Sequence, residues 1–344
     1  MDNLIKLPFV IPKYQTYPLN TGINGILEAY NDADIWTYNN YITLWTYKSI
    51  YNKKYQMDFR FDLTKDCREI CSKICIEYFE TFKEDNIIDV IKEQISKKKY
   101  LFVSVDTFYL DVWWYDKNSI EHTEHQELVI GYNDAEEKVL VADFFKGKYS
   151  VQEIDYLAFR MAYDAHAGYL RDVTNKNSVE VMLYQYDGSK DEKLELGKIK
   201  GMINDFLNSE ENTVDDVSES FVKIEVVHGM ECLRKIIDCF DEKIKAKEWF
   251  DYRAIHLIYL FNYIMSRRIQ YMIDNKYLEE TEDIKQNKAD FSNIADQVKK
   301  LRMKVIKYNM RRNGGEMIID TLKSVYSKQK KSLRKLQTIL KEID

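Results

Sequence analysis

The sequence predicts an α+β domain followed by an all-helical domain. Strand-like and helix-like patterns alternate over roughly the first half of the chain. From about Leu194 to the end, apolar residues recur at helical spacing instead. No repeat of fixed period runs through either part. We therefore expect two domains, an α+β domain over residues 1–190 and a helical domain over residues 191–344.

The first elements of the α+β part are predicted from the periodicity of apolar residues and from residues typical of helix and strand ends. NTGINGILEAYNDA, opening after Pro18 and Asn20, predicts a helix, and MDFRFDL alternates as a strand does. KDCREICSKICIEYFETF, with Thr64 as its N-cap, predicts an amphipathic helix. NIIDVIKEQISKK predicts another helix, and YLFVSVDTFYL returns to strand.

A hairpin is predicted in the middle of the chain. ELVIGYN and KVLVADF are β-rich runs joined by the short connection DAEE, and GKYSV extends the pattern to a third strand. Ser150 and Glu153 have the spacing of a capping box, which predicts a helix over QEIDYLAFRMAYDA. SVEVMLYQY is the last predicted strand before the helical part.

The helical part contains long periodic segments that Asn313, Gly314 and Gly315 interrupt near the C-terminus. Basic residues outnumber acidic ones in VKKLRMKVIKYNMRR and KSVYSKQKKSLRKLQ. A solvated helix face accounts for this bias, and so does a docking surface for an acidic partner. An apolar stripe on the same helices is compatible with a homodimer.

Composition excludes several classes of protein. The 344 residues carry a net charge of −6, which argues against a dedicated nucleic-acid binder. No apolar window is long enough to span a membrane, and the opening residues lack the pattern of a signal peptide. The five cysteines are an odd number without disulfide-framework spacing, as expected in a reducing compartment. We expect a cytoplasmic protein that does not enter a membrane.

One histidine and one aspartate stand at opposite ends of the predicted hairpin. His125 opens the first strand and Asp143 closes the second, and antiparallel strands running past each other bring such positions together. A carboxylate beside a ring nitrogen can hold the tautomer of an imidazole that acts as a general base. A surface histidine with a local hydrogen bond is the plainer interpretation of the same spacing.

The sequence motifs around this pair resemble those of a known family. VDTFYL, then an aromatic interval, H-x-x-x-V-x-G-Y-N-D and K-V-x-V-A-D occur in an order similar to that of the butirosin biosynthesis protein H family. The resemblance covers roughly residues 15–170, and the helical remainder is similar to the C-terminal part of such proteins. It implies a papain-like fold and acyl transfer from a carrier-bound thioester in a natural-product pathway, without a cofactor.

The resemblance also assigns roles to individual residues. It implies that His125 is the general base, that Asp143 orients it, and that Asp106 is a structural or site-lining residue. Trp113 and Trp114 precede the histidine strand and are candidates to line a substrate pocket. Core packing explains these tryptophans as well, and also the aromatic belt IWTYNNYITLWTY.

The sequence departs from the family at the nucleophile, which there is a cysteine at the start of the first helix. No cysteine precedes Cys67, and the match places Thr21 in that position, with Asn20 beside it. Thr21 could act through its hydroxyl, although an alkoxide is much harder to form than a thiolate. Cys67 could be recruited, but its acidic neighbours Asp66 and Glu69 would raise its pKa.

A third interpretation is that thiol chemistry has been lost. The fold would then serve binding, assembly or a reaction that needs only the histidine and the aspartate. The sequence therefore favours an acyltransferase or amide-forming protein, with a catalytically inactive binding or scaffold protein and a peptidase-like hydrolase as alternatives.

Metal binding is not expected from the sequence. Cys67, Cys71 and Cys75 recur every four residues, but no fourth ligand is near, so small buried side chains are the expected role. Cys232 and Cys239, a heptad apart, carry the same expectation.

Overall fold

A computed structural model describes residues 4–49, 55–61, 73–113, 122–209, 224–249 and 251–343 of the chain. The strands in these ranges are β1 Leu4–Lys6, β2 Leu44–Ser49, β3 Tyr55–Phe61, β4 Ile74–Phe82, β5 Lys99–Asp106, β6 Glu124–Asn133, β7 Lys138–Phe145, β8 Lys148–Asp155, β9 Ser178–Tyr186 and β10 Ile224–His228. The helices are α1 Pro18–Ala29, α2 Ala33–Asn40, α3 Ile87–Ser96, α4 Tyr156–Thr174, α5 Leu196–Asn208, α6 Gly229–Lys245, α7 Arg253–Asp274, α8 Glu282–Arg311 and α9 Gly315–Lys341.

The fold is mixed α/β with an antiparallel sheet and a helical C-terminal part, as the sequence predicts. The chain divides into two compact units, residues 1–34 with 66–192, and residues 35–65 with 193–344. The division after residue 192 lies close to the expected one. Residues 35–65 differ from the expectation, because β2 pairs with β10 in a three-stranded sheet whose order is β10-β2-β3.

The first unit is built on a sheet with the strand order β4-β9-β5-β6-β7-β8, with β1 added to the end of β6. Every pairing in it is antiparallel. A bulge in β6 between Val129 and Gly131 bends the strand where β1 joins it. A side chain at Gly131 would overlap the backbone of Ile5, so this close approach requires glycine.

The second unit is mainly helical. Its long helices α7, α8 and α9 pack in succession along the chain. Gly314 has a φ of 76° and ends the break between α8 and α9, at the Asn-Gly-Gly segment predicted from the sequence. The aromatic belt belongs mostly to a core: Trp36, Tyr38 and Tyr41 are buried.

Two predictions of secondary structure are wrong. The helix predicted over Lys65–Phe82 is replaced at its C-terminal end by β4, which pairs with β9 along its whole length from Ile74 to Phe82. Apolar residues in this segment fit both periods, and pairing in the sheet decides between them. The helix predicted from Ser150 starts six residues later at Tyr156, because β8 continues its ladder with β7 as far as Asp155. Residues 62–72, with Cys67 and Cys71, lie outside the described ranges.

Candidate functional site

His125 and Asp143 meet as the hairpin predicts. The register pairs Leu128 on β6 with Ala142 on β7, so one pair further along Glu127 lies opposite Asp143. Side chains alternate across a sheet, which puts His125 on the same face two residues earlier. Nδ1 of His125 lies 3.0 Å from Oδ2 of Asp143. The predicted proximity is confirmed, and the catalytic roles remain predictions.

The environment of the two side chains is unequal. The Asp143 side chain is 0% exposed, whereas that of His125 is 27% exposed, so one edge of the ring reaches solvent. Oδ1 of Asp143 accepts a hydrogen bond of 2.5 Å from the backbone N–H of Phe144. Oδ2 accepts no hydrogen bond of regular geometry from the described residues, and Nδ1 of His125 also lies 3.2 Å from the carbonyl oxygen of Gln126. Burial raises the pKa of Asp143, and its contacts with His125 oppose that rise.

Glu127 is a member of the site that sequence reasoning missed. Its side chain is fully buried, and Oε1 accepts a hydrogen bond of 2.5 Å from the indole N–H of Trp113. Oε2 has no hydrogen-bond partner within the part of the chain that the structure describes. Burial, and secondarily the charge of Asp143, raises the pKa of Glu127 well above its usual range. The sequence held a signal for it, since a glutamate two residues after His125 points to the same face of the strand, directly before the apolar run LVI.

One ligand atom from each of His125, Glu127 and Asp143 lies within 4.8 Å of the other two. We call these three residues the HED cluster. Asp143 has two contacts that favour its charged form, the imidazole and the Phe144 N–H, whereas Glu127 has only the indole N–H. The proton of this carboxyl pair is therefore expected on Glu127, which leaves the Asp143 carboxylate facing His125.

Trp113 covers the HED cluster. Its ring centroid is 4.3 Å from that of His125 at an interplanar angle of 47°, and 5.3 Å from that of Phe145. The aromatic rings shield the histidine–aspartate contact on one side, and the Trp113 indole fixes Glu127 as well. Trp113 thus lies beside the histidine, while Trp114 is outside the described residues.

Thr21 is not placed as a nucleophile at a helix start would be. It is the fourth residue of α1, and its N–H already donates to the carbonyl oxygen of Tyr17 at 2.8 Å. Its hydroxyl is 0% exposed and accepts a hydrogen bond of 2.9 Å from the Thr16 N–H. The first helical residue is Pro18, which offers neither a nucleophile nor an N–H for an oxyanion. Asn20, beside Thr21, is buried too.

The body of α1 lies on the other face of the sheet from the carboxylates. A Cβ atom on Gly22 would be 3.0 Å from Cδ2 of Leu128. Leu128 and Glu127 are consecutive residues of one strand, so their side chains point to opposite faces. Among the hydrogen bonds of the described residues, none joins Thr21 to His125.

Asp106 belongs to a second histidine–carboxylate pair. Its Oδ1 accepts from the Phe108 N–H at 3.0 Å, and its Oδ2 is 2.7 Å from Nδ1 of His122. The His122 ring stacks on Phe108 with centroids 4.0 Å apart, and its side chain is 64% exposed. These contacts give Asp106 a structural role at the end of β5. They also supply a natural comparison for the buried pair.

A groove of about 680 Å³ lies near the start of α4, away from the HED cluster. Its lining combines aromatic and apolar side chains with carboxylates. It is lined by Phe108, Tyr109, Glu136, Glu137, Asp155, Tyr156, Leu157, Ala158 and Met161. None of the cluster residues lines it, so the groove is a separate feature.

The remaining predicted features are structural in the described ranges. Cys232 is buried, and burial raises the pKa of its thiol; Cys239 is half-buried with a pKa shifted in the same direction. Cys75 is half-buried on β4. No helix of the described residues is both long enough and apolar enough to cross a membrane.

Comparison with known proteins adds no assignment. The sequence matches none of the protein-family models, and no curated protein is significantly similar to it.

Proposed function

We propose that this protein is a papain-like acyltransferase in which His125 acts as a general base without a covalent acyl-enzyme. The main observation in support of this proposal is a partly exposed imidazole whose Nδ1 lies 3.0 Å from a fully buried aspartate. The acyl chemistry itself rests on the resemblance to the butirosin biosynthesis protein H family. That resemblance favours a carrier-bound acyl thioester as donor and an amine or hydroxyl as acceptor.

The reaction follows from the orientation of the ring. Two acceptors face Nδ1 of His125, the Gln126 carbonyl oxygen at 3.2 Å and Oδ2 of Asp143 at 3.0 Å, and both favour the tautomer with its proton on Nδ1. Nε2 then carries the lone pair and can take a proton from the acceptor. The acceptor nitrogen or oxygen then forms a bond to the thioester carbonyl carbon, and the C–S bond breaks. The departing thiolate recovers the proton from Nε2, so the histidine ends as it began.

The architecture of α1 supports direct transfer over a covalent intermediate. Papain-like catalysis needs a thiolate and free N–H groups at the helix start. Here Pro18 occupies the first helical position, and the hydroxyl of Thr21 is committed to the backbone of Thr16. A direct attack by the acceptor needs no group from α1.

The test is a transfer assay with an acyl-pantetheine thioester and a panel of amine acceptors, read by product mass and by intact-protein mass. We expect product without a protein adduct, and a rate about 10²–10⁴-fold lower in His125→Ala. His122→Ala is the matched control, because it removes a histidine with an equally close carboxylate outside the HED cluster. An acyl adduct on the wild-type protein would contradict direct transfer, and release of free acid alone would favour the peptidase-like hydrolase.

A catalytically inactive binding or scaffold protein is the second candidate. The observation that favours it is the same helix start, where Pro18 and the buried Thr21 leave no nucleophile. It predicts saturable binding of the thioester with no product and no dependence of binding on the His125 base. The transfer assay separates the two candidates.

The basic segments of α8 and α9 support an acidic carrier protein as the partner. Between Asp296 and Arg311 every charged residue of α8 is basic. This positive charge would attract an acidic surface and weaken as salt rises. A homodimer and a cytoplasmic location remain predictions from the sequence.

A further inference from the structure

In each of the two buried carboxylates of the HED cluster, one oxygen accepts a regular hydrogen bond and the other does not. Oε1 of Glu127 is held by Trp113 Nε1, and Oδ1 of Asp143 by the N–H of Phe144. The other oxygen of each, Oε2 and Oδ2, is buried without a regular hydrogen bond from the described residues, although Oδ2 lies 3.0 Å from Nδ1 of His125. Buried carboxylate oxygens without hydrogen bonds are costly in a protein interior unless something positive lies near them.

A ring nitrogen completes the arrangement. One atom each from His125, Glu127 and Asp143 lies within 4.8 Å of the others, and Nδ1 of His125 is already 3.0 Å from Oδ2. Ligands about 2.0–2.2 Å from a tetrahedral zinc ion lie about 3.3–3.6 Å from one another. The cluster therefore needs to contract by roughly 1 Å at its widest to hold such an ion.

We propose that His125, Glu127 and Asp143 form a binding site for a divalent transition-metal ion, with Zn²⁺ as the foremost candidate. One imidazole and two carboxylates suit zinc, manganese, iron and cobalt, whereas magnesium and calcium prefer oxygen ligands alone. Three protein ligands leave a fourth position for water or a substrate atom. The partly exposed edge of His125 gives that position a route to solvent.

The surroundings of the cluster match what metal ligands need beyond their own contacts. Trp113 and the Phe144 backbone orient one carboxylate each by binding one of its oxygens, and each carboxylate keeps a second oxygen for an ion. Such supporting hydrogen bonds fix ligand orientation, and losing one typically lowers affinity about 10–100-fold. Among the described residues no third ligand group accompanies the exposed His122–Asp106 pair, so that pair is not expected to bind the ion tightly.

The inference goes beyond the proposed function and would regulate it. An ion on Nδ1 of His125 would leave the proton on Nε2, and the ring could no longer act as a base. Metal binding and direct transfer are then alternative states of one site. Zn²⁺ should inhibit transfer, and a chelator should restore it.

The experiment is a calorimetric titration of the chelator-treated full-length protein with Zn²⁺, paralleled by Co²⁺ and its visible absorption. We expect one equivalent to bind, with affinity reduced more than about 100-fold in His125→Ala, since a lost supporting contact alone costs up to that much. Glu127→Gln keeps the shape and the Trp113 acceptor but removes the charge, and should also bind weakly. His122→Ala should bind as the wild type does.

Several outcomes would overturn the proposal: no binding at one equivalent, equal binding by wild type and His125→Ala, or loss of binding in His122→Ala. Circular dichroism of each variant shows that it is folded, and His125→Ala, at a partly exposed position, covers the case in which Glu127→Gln fails to fold. No thioester enters the titration. Failure of metal binding therefore leaves the transfer assay standing, and failure of transfer leaves the titration standing.

Discussion

Glu127→Gln in the chelator-treated protein is the most informative single change, because it imitates the protonated form of the buried acid. The amide oxygen can accept from Trp113 as Oε1 does now, and the neutral amide N–H₂ replaces Oε2, for which the described residues offer no hydrogen-bond partner. The buried negative charge of Glu127 near Asp143 is then removed. The variant should be more stable than the wild type wherever Glu127 would otherwise be charged.

The magnitude follows from linkage between protonation and folding. Burial raises the folded-state pKa of Glu127 above its unfolded value, which is near 4.5. The wild-type protein therefore has the full contribution of this group below that pH and loses it as pH rises through the folded pKa. Each pKa unit of difference is worth about 1.36 kcal/mol. We expect Glu127→Gln to match the wild type near pH 4 and to exceed it by about 1–3 kcal/mol at pH 8.

The assay is urea unfolding in EDTA at several pH values, followed by tryptophan fluorescence. Glu153→Gln is the control, since it makes the same substitution at an exposed position on β8 of the same sheet. A Glu127→Gln variant that is less stable at every pH would refute the reasoning. So would a difference that is constant from pH 4 to pH 8.

Three further changes test the contact of Trp113 with Glu127 and the packing of α1 in the first unit. Trp113→Phe keeps an aromatic ring near His125 but leaves Glu127 without its donor, so it should cost about 1–2 kcal/mol and cost more at high pH in the same urea assay. Thr21→Val removes a buried acceptor and should lower stability by about 1–2 kcal/mol, while Thr21→Ser should retain it; equal stabilities would remove the structural role. Gly25→Ala would overlap the ring of Phe9 and should destabilise the protein by about 1–3 kcal/mol. As a control, Gly201→Ala, in open space on α5, should stabilise it by about 0.5–1 kcal/mol. Thermal melts that give the opposite order would contradict the packing of α1.

The hairpin that holds the site could be predicted because its evidence is local. β6 and β7 contain continuous β-rich runs joined by a four-residue connection, and the pairing of His125 with Asp143 follows from that register. The strand β4 could not be predicted, since its apolar residues also fit a helix and its partner β9 lies about a hundred residues away. Long-range pairing decides what local periodicity leaves open.

Glu127 was missed for a different reason. Glu127 follows the polar residues His125 and Gln126, a context typical of an exposed strand end. Its contacts come from residues more distant in the sequence, Trp113 before it and Asp143 after it. The expected role of Thr21 depended equally on geometry, namely its depth in α1 and the use of its hydroxyl, and no spacing in the sequence carries this information.

All three members of the HED cluster come from a single hairpin, and this has a consequence for how the site is assembled. Closing this hairpin orders only a short span of chain, so the loss of loop entropy is small. The histidine can therefore contact the aspartate before strands distant in the sequence, such as β4 and β9, have paired. Trp113 lies outside the hairpin and packs against His125 after the hairpin has formed. Amide hydrogen exchange would then show β6 and β7 protected as one cooperative block, with the shielding of His125 acquired as a separate, later and more easily reversed event.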